Sequence, residues 1–576
     1  MKRGRIGAGL TTFWLLAALL APVASPCRAQ ADPQPVHAAH GMVATAESRA
    51  TEVGVAILKK GGNAVDAAVA VGMALAVTYP VAGNLGGGGF MLIRMANGET
   101  VAIDYREVAP RLATRNMYLD AQGNAIPDAS LVGSRASGVP GTVAGLALAQ
   151  QKYGKLSWRE VLEPARLLAA HGFPLSYSQA YGLRTDKLLS IFPESRRIFQ
   201  KDGHFYAPGD LFKQPELAAT LQRLQSKGPQ EFYEGETAQK IVQEMQQSHG
   251  LITLEDLKRY KPIVRTPLHG TYRGLDILTM PPPSSGGVAL IEMLNTLERF
   301  PLREMGYNGS KTDHLLIETM KRAFADRAEH LGDPDSVHVP VTGLTSKRYA
   351  TQLAASIDLL HATPSTEIHA ATPAQLESEQ TTHFSIVDAQ GDAVTNTYTL
   401  NGAYGCGLTV RGAGFLLNNE MDDFAAKPGT PNGYGLVQGE ANAIAPGKRP
   451  LSSMTPTIVL KKGKLYMVIG SPGGPTIITT VLQVILNVVD FDMNLREAIA
   501  APRFHHQWLP DVVRYEAYRF PPDVRDALKG MGHQLGNTLL RGTYWGDAEG
   551  IMIDQNTGLY LGASDPRSND SRALGY

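Results

Sequence analysis

The residues best placed to do chemistry lie at Gln380-Thr381-Thr382-His383-Phe384-Ser385, where a polar stretch gives way to a strand-like run. A threonine hydroxyl is a weak nucleophile unless a base stands beside it. A threonine at a chain N-terminus carries its own base, the α-amine, with an ordinary pKa of about 7.7–8.0. Thr381 gains that amine only if the Gln380–Thr381 bond is cut. On residue type alone, the same run also fits an ordinary Thr-Thr strand start.

A second element is Gly473-Gly474, between a strand-like run and an apolar helical run, Thr476 to Val489. Two glycines at such a turn present backbone N–H groups at the positive end of a helix dipole. That arrangement can stabilise an oxyanion, although many strand-to-helix turns carry glycine for geometry alone. Neighbours of Thr381 follow from pairing. Thr382 to Val387 and Ala393 to Leu400 read as a β-hairpin around Asp388-Ala389-Gln390-Gly391-Asp392. Opposed residue numbers then sum to about 781, within a slip of one. Thr382 faces Thr399, Thr381 lies beside Leu400, and Thr399 and Asn401 become neighbours of the candidate nucleophile.

The elements around these residues read as mixed α and β. Thr45-Ala46-Glu47-Ser48 opens a helix that Lys60-Gly61-Gly62 ends, and Asn63 caps a second, Ala64 to Val77, apolar on most sides and hence buried. Gly83 to Phe90 leads into a strand at Met91-Leu92-Ile93, and Val101 to Tyr105 forms the next. Residues 155–330 read as mostly helical with loops, including a Pro-rich turn, Pro281 to Gly287, that feeds a helix from Val288 to Glu298. Residues 361–380 read as a flexible connector. A second hairpin spans Pro456 to Ile469.

Composition excludes several classes. The chain has 576 residues and 54 basic against 54 acidic side chains, without the basic surplus of a nucleic-acid binder. Its first 31 residues carry Lys2, Arg3, Arg5 and Arg28 with no acid, then an apolar run and Ala29-Gln30-Ala31. This reads as a secretory signal too short to span a membrane, and it predicts a periplasmic or secreted protein with no membrane anchor. Cys27 leaves with that signal, and Cys406 is then alone, so no intrachain disulfide forms and no thiolate zinc site is possible. The Gly86–Gly89 run fits neither phosphate-binding template and reads as close backbone packing. There is no Gly-x-Ser-x-Gly elbow and no His-Glu-x-x-His.

Taken in order, a set of motifs resembles the γ-glutamyltranspeptidase family of N-terminal-nucleophile hydrolases. They are Gly61 to Ala68, Gly86 to Phe90, Arg106 to Pro110, Pro281 to Gly287, Gln380 to Ser385, Leu417 to Phe424, Pro450 to Met454, Gly470 to Pro475 and Asp565 to Arg567. The resemblance implies an α/β fold, a four-layer αββα sandwich built by two fragments of one self-cleaved precursor. Residues 1–31 are a signal peptide, 32–380 a large subunit with a flexible tail at 361–380, and 381–576 a small catalytic subunit. On this reading 380 is a processing site and not a domain boundary.

The resemblance also implies roles. Thr381 attacks the γ-glutamyl amide of glutathione or a related compound, and the acyl group passes to water or to an amino-acid or dipeptide acceptor. Gly473 and Gly474 hold the oxyanion, and Thr399 orients Thr381. Arg106 forks onto the substrate α-carboxylate beside Ser452 and Ser453. Asp423, Glu420 and Asn401 accept from its ammonium, and Tyr434 belongs to a lid loop. No metal or organic cofactor and no nucleic acid is implied. Two other readings remain: a cephalosporin or glutaryl acylase on the same fold, and an exported amino-acid- or peptide-binding protein that stays uncut.

Overall fold

The computed structural model describes residues 33–370, 382–536 and 545–576. Gln380, Thr381, the segment 1–31 and the 371–380 part of the predicted tail lie outside the described residues. Two seven-stranded antiparallel sheets form the body. One runs Val36–Ala38, Tyr560–Ala563, Glu549–Ile553, Lys464–Gly470, Thr457–Lys461, Leu275–Thr279 and Leu268–Tyr272. The other runs Arg572–Gly575, Met42–Thr45, Thr382–Val387, Ala393–Thr399, Gly88–Arg94, Thr100–Asp104 and Ile263–Arg265.

The layering follows from period-two alternation. Phe90 and Leu92 join Ile458, Val468 and Ile551 in an apolar layer shared by the two sheets. Met91 and Ile93, one residue out of phase, point into a helical layer with Val69, Met73 and Leu146. On the far side, Val459, Met467 and Ile469 pack with Leu290, Leu316 and Ile485 of three other helices. The order is helix, sheet, sheet, helix, the expected four-layer sandwich. Strands buried on both faces read as continuous apolar runs, as Phe90 to Ile93 does.

Local signals set the elements next to the site. The helix Ala64–Thr78 is buried at every position, and Asn63 caps it reciprocally with Asp66. Glu47, not Thr45, caps the preceding helix Ser48–Lys59, because Thr45 is the last residue of a short strand. Lys462 and Gly463, both with positive φ, close the second hairpin in two residues, as the twist of a hairpin requires.

Three expectations change. The first hairpin pairs Thr382 with Tyr398, one residue off the predicted register. The Asp388–Asp392 loop takes up the difference, since the last pair is Val387 with Ala393. Residues 361–370 are not a loose connector. Lys321 Nζ donates to the Thr363 carbonyl at 2.8 Å, Trp508 Nε1 to the Ser365 carbonyl at 2.8 Å, and Ser365 N–H to Asp511 at 2.8 Å. The stretch read as mostly helical also contributes three strands to the two large sheets, at Ile263–Arg265, Leu268–Tyr272 and Leu275–Thr279. They are short, and two stand at sheet edges, where the apolar alternation is weak.

The Gly86–Gly89 run packs as closely as predicted. A Cβ on Gly87 would stand 1.9 Å from the Thr399 carbonyl, and one on Gly89 2.4 Å from the Tyr398 Cβ. We expect Gly87→Ala to destabilise the protein by about 1–3 kcal/mol through overpacking. Gly530, with nothing within 4 Å of an added Cβ, is the control and should move the unfolding midpoint little as Gly530→Ala. Equal midpoints for the two variants would refute the packing role.

Candidate active site

Arg106 follows the strand Thr100–Asp104 and is completely buried. Its Nη1 donates to Glu420 and its Nη2 to Asp423. Nη2 also donates to the Leu451 carbonyl at 2.9 Å, and Nε to the Pro450 carbonyl at 3.1 Å. Glu107 stands 3.9 Å from the same guanidinium. Arg106, Glu420 and Asp423 are therefore one ion-paired cluster, with the arginine on its own acids and not held apart for a ligand.

Charge within the cluster is unbalanced: three buried carboxyl groups surround one guanidinium. Burial, and then the charge of Glu420, holds Asp423 well above the usual carboxylate range against the pull of Arg106. Burial pushes Glu107 up to about 8, with Arg106 opposing.

Glu420 and Asp423 sit on one 3₁₀ turn, Glu420–Asp423. Asn418 sets its entry: its Oδ1 accepts from Glu420 N–H at 3.0 Å and from Gly138 N–H at 2.8 Å. The Asn419 carbonyl accepts from Asn401 Nδ2 at 3.0 Å, which ties Asn401 to this turn. Asn401 has φ of 72° and donates its own N–H to Thr399 Oγ1 at 2.8 Å. Thr399, Asn401, Glu420, Asp423 and Arg106 are thus linked in one network.

The serine pair lies beside Arg106 in the chain that supplies its two carbonyl partners. Ser452 N–H donates to Pro283 at 3.0 Å, and Ser452 accepts at its carbonyl from Ser285 N–H at 2.8 Å. The Pro281–Gly287 turn therefore buttresses the pair. Asn401 Oδ1 and Asp423 Oδ1 in this network, Ser453 Oγ beside it and both carboxylate oxygens of Glu107 are buried without a hydrogen-bond partner among the described residues. Buried polar atoms are satisfied far more often than not, so this concentration of orphans marks a place for a polar ligand.

Gly473 and Gly474 turn the strand Lys464–Gly470 into the helix Thr476–Val489, with φ of 129° and 67°. Among the described residues no hydrogen bond takes up either N–H. His383 connects this turn to the Thr382–Val387 strand. A Cβ on Gly470 would lie 2.4 Å from the His383 ring. That ring is fixed by Thr397 Oγ1 at 2.9 Å and Ser385 Oγ at 3.0 Å, and burial pulls it down to about 3, so it stays neutral. Tyr434 stands in a turn whose Asn432 Oδ1 accepts from the N–H of Tyr434 and of Leu436. Gly433 N–H donates to Asp422 at 3.1 Å, which links that turn to the carboxylate turn.

Sequence reasoning gave no role to Glu107, Asn418, Asn419 or Ser285, although all lie inside the quoted motifs. Only Glu107 and Asn419 carried a signal, being adjacent to Arg106 and Glu420. Cys406 is buried, and burial pushes its thiol up.

A four-layer αββα body with a strand beginning at residue 382, a glycine turn whose N–H groups have no partner among the described residues and a buried charged cluster fits the N-terminal-nucleophile hydrolase class. A family model described as "Gamma-glutamyltranspeptidase" matches residues 50–575, and the chain belongs to that family. It is 52% identical over 544 residues to the "Glutathione hydrolase proenzyme" of Escherichia coli, covering 94% of this chain and 93% of that one. Among solved structures, a cephalosporin acylase from Bacillus halodurans superposes with a TM-score of 0.84 at 27% identity, covering 97% of this chain and 99% of that one. A Helicobacter pylori gamma-glutamyltranspeptidase chain superposes with a TM-score of 0.55 at 45% identity, covering 57% of this chain and 95% of that chain.

The raised Glu107 has a measurable consequence. It binds its proton more tightly folded than unfolded, so its contribution to stability is complete below its unfolded pKa of about 4.3 and is lost as pH rises through about 8. The thermal midpoint should fall between pH 6 and pH 9, and Glu107→Gln should flatten that fall. An unchanged slope in the variant would place the titration elsewhere.

Proposed function

We propose that the protein is a self-processing γ-glutamyltransferase and glutathione hydrolase whose nucleophile is Thr381. The observation that carries this is the buried charge cluster at Arg106 with its orphaned acceptors, Asp423 Oδ1 and Asn401 Oδ1, and its orphaned hydroxyl, Ser453 Oγ. An α-amino acid end brings one ammonium and one carboxylate. The ammonium offers three donors to Asp423, Asn401 and Glu420. The carboxylate meets the Ser452 and Ser453 hydroxyls, and it takes the Arg106 fork by displacing the acids that hold it in the unliganded site. The zwitterion adds no net charge to a site already crowded with carboxyl groups. A glutaryl substrate adds a bare negative charge there, which disfavours the acylase reading despite the structural likeness.

Chemistry begins with the precursor. The Thr381 hydroxyl attacks the Gln380 carbonyl, an ester forms, and its hydrolysis leaves a large fragment, 32–380, and a small one, 381–576. In the mature protein the Thr381 α-amine takes the hydroxyl proton as Oγ attacks the γ-amide carbonyl. Gly473 and Gly474 N–H groups meet the developing oxyanion, and such a donor contributes about 3–4 kcal/mol where it has been removed. The amine returns the proton to the leaving amine. The γ-glutamyl ester then passes to water, or to the amine of an amino acid or dipeptide. Thr399, one residue beyond the partner of Thr382, orients the nucleophile, and Tyr434 closes over the glutamyl pocket. The two fragments stay together because strands from both share each sheet. The signal segment 1–31 is removed on export to the periplasm or medium.

Intact-mass measurement tests the first step. Wild type should yield a fragment of about 21 kDa beginning at Thr381, from the chain's 61.9 kDa mass, and Thr381→Ala should remain whole. A whole wild-type chain would favour a binding protein. Substrate choice is tested with L-γ-glutamyl-4-nitroanilide against glutaryl-4-nitroanilide. Asp423→Asn should lower kcat/KM for the glutamyl compound by about 10–100-fold, the usual worth of a hydrogen bond to a charged group, and change the glutaryl rate little. Equal losses on both would remove Asp423 from ammonium recognition.

A further inference from the structure

A cavity of about 810 Å³ opens beside the helix Thr142–Tyr153, walled by Leu148, Trp158, Tyr233 and Tyr260, with the exposed Lys258 and Lys261 at its edge. Its volume is that of a small-molecule site. None of these residues takes part in the proposed chemistry.

The walls are apolar for a specific reason: the polar ends of the aromatic side chains are already used. Trp158 Nε1 donates to the Leu224 carbonyl at 3.1 Å, Tyr233 Oη to the Pro140 carbonyl at 3.1 Å, and Tyr260 Oη to the Arg106 carbonyl at 2.9 Å. Tyr233 and Tyr260 stack with ring centroids 5.8 Å apart and planes 9° apart. What faces a ligand is ring surface and aliphatic carbon, with the amide side chains of Gln150, Gln151 and Gln230 among them. Charge enters only at the edge, where the two lysines outnumber Glu234, the one carboxylate there, and neither lysine forms an ion pair among the described residues.

We infer that this cavity binds an aromatic monoanion, with its ring between Trp158 and the Tyr233–Tyr260 stack and its acid group on Lys258 and Lys261. The same wall touches Arg106 directly at one point and, through Arg449, indirectly at a second. Tyr260 holds the Arg106 carbonyl, and the Lys261 carbonyl accepts from Arg449 Nη2 at 2.9 Å, one residue before the Pro450 carbonyl that receives Arg106 Nε. Occupancy is therefore sensed at Arg106, a coupling that rests on the role proposed for Arg106 above.

The test uses the full mature protein and 8-anilinonaphthalene-1-sulfonate, titrated by calorimetry. One saturable site is expected. Ala147→Trp, which fills the cavity, should abolish it, and Lys258→Gln with Lys261→Gln should weaken it at least tenfold, both with unchanged thermal midpoints. No saturable binding, or binding that survives Ala147→Trp, overturns the site. Saturating probe should shift KM for the γ-glutamyl donor at least twofold with kcat unchanged, and Tyr260→Phe should remove that shift. Binding with an unmoved KM overturns the coupling alone. A protein that binds the probe but cleaves no γ-glutamyl donor overturns the functional reading and leaves the site standing.

Discussion

The buried guanidinium of Arg106 is the interaction on which the site depends. It gathers three stretches of chain: the end of the strand Thr100–Asp104, the turn Glu420–Asp423, and the segment through Pro450 and Leu451. Burying such a cluster is costly, and it is tolerated only when each charge has partners. Removing the guanidinium would strand two carboxylates in a dry interior. The same arrangement that fixes the backbone of three segments therefore leaves a set of charges whose best external complement is a zwitterion.

A second constraint is the interleaving of the sheets. The strand Thr382–Val387 lies between Met42–Thr45 and Ala393–Thr399. The strand Thr457–Lys461 lies between Leu275–Thr279 and Lys464–Gly470. Both sheets combine strands from before and after residue 380. Each pairing carries main-chain hydrogen bonds and a share of the central apolar layer, so cutting one peptide bond releases no element. A precursor can spend its own bond to make an N-terminal amine without losing its fold.

Much of this was legible in the sequence, and the rest was not for identifiable reasons. The Asn63 cap, the Thr476–Val489 helix and the Lys462-Gly463 turn are local, set by side chains within four residues, and each reads directly. The hairpin register missed by one because the five-residue loop leaves the closing pair open. The strands between Ile263 and Thr279 escaped because edge pairing is decided by distant partners. At the site, the motif resemblance singled out Arg106, Asp423 and Glu420, but nothing local says that the arginine sits on those two acids. That pairing joins residues more than 300 positions apart. Glu107 adjoins Arg106 in the chain, but its burial beside Glu420 and Asp423 exists only in three dimensions.

The alignment of the nucleophile strand with the glycine turn shows how this fold achieves catalytic geometry. Acyl transfer tolerates little error between an attacking oxygen and the donors that receive the oxyanion. Here the two elements belong to different sheets, and loose packing between sheets would blur their distance. The gap is closed by leaving out an atom: Gly470 has no Cβ, and the His383 ring fills the space to 2.4 Å of where that carbon would be. The ring cannot swing away, because Thr397 and Ser385 hold its two nitrogens. It cannot charge near neutral pH, because burial keeps it unprotonated. A rigid neutral spacer thus joins a residue two positions after Thr381 to a residue three positions before Gly473. Histidine at this position serves by its shape and its two fixed nitrogens, and in the proposed mechanism the acid–base work is left to the N-terminal amine.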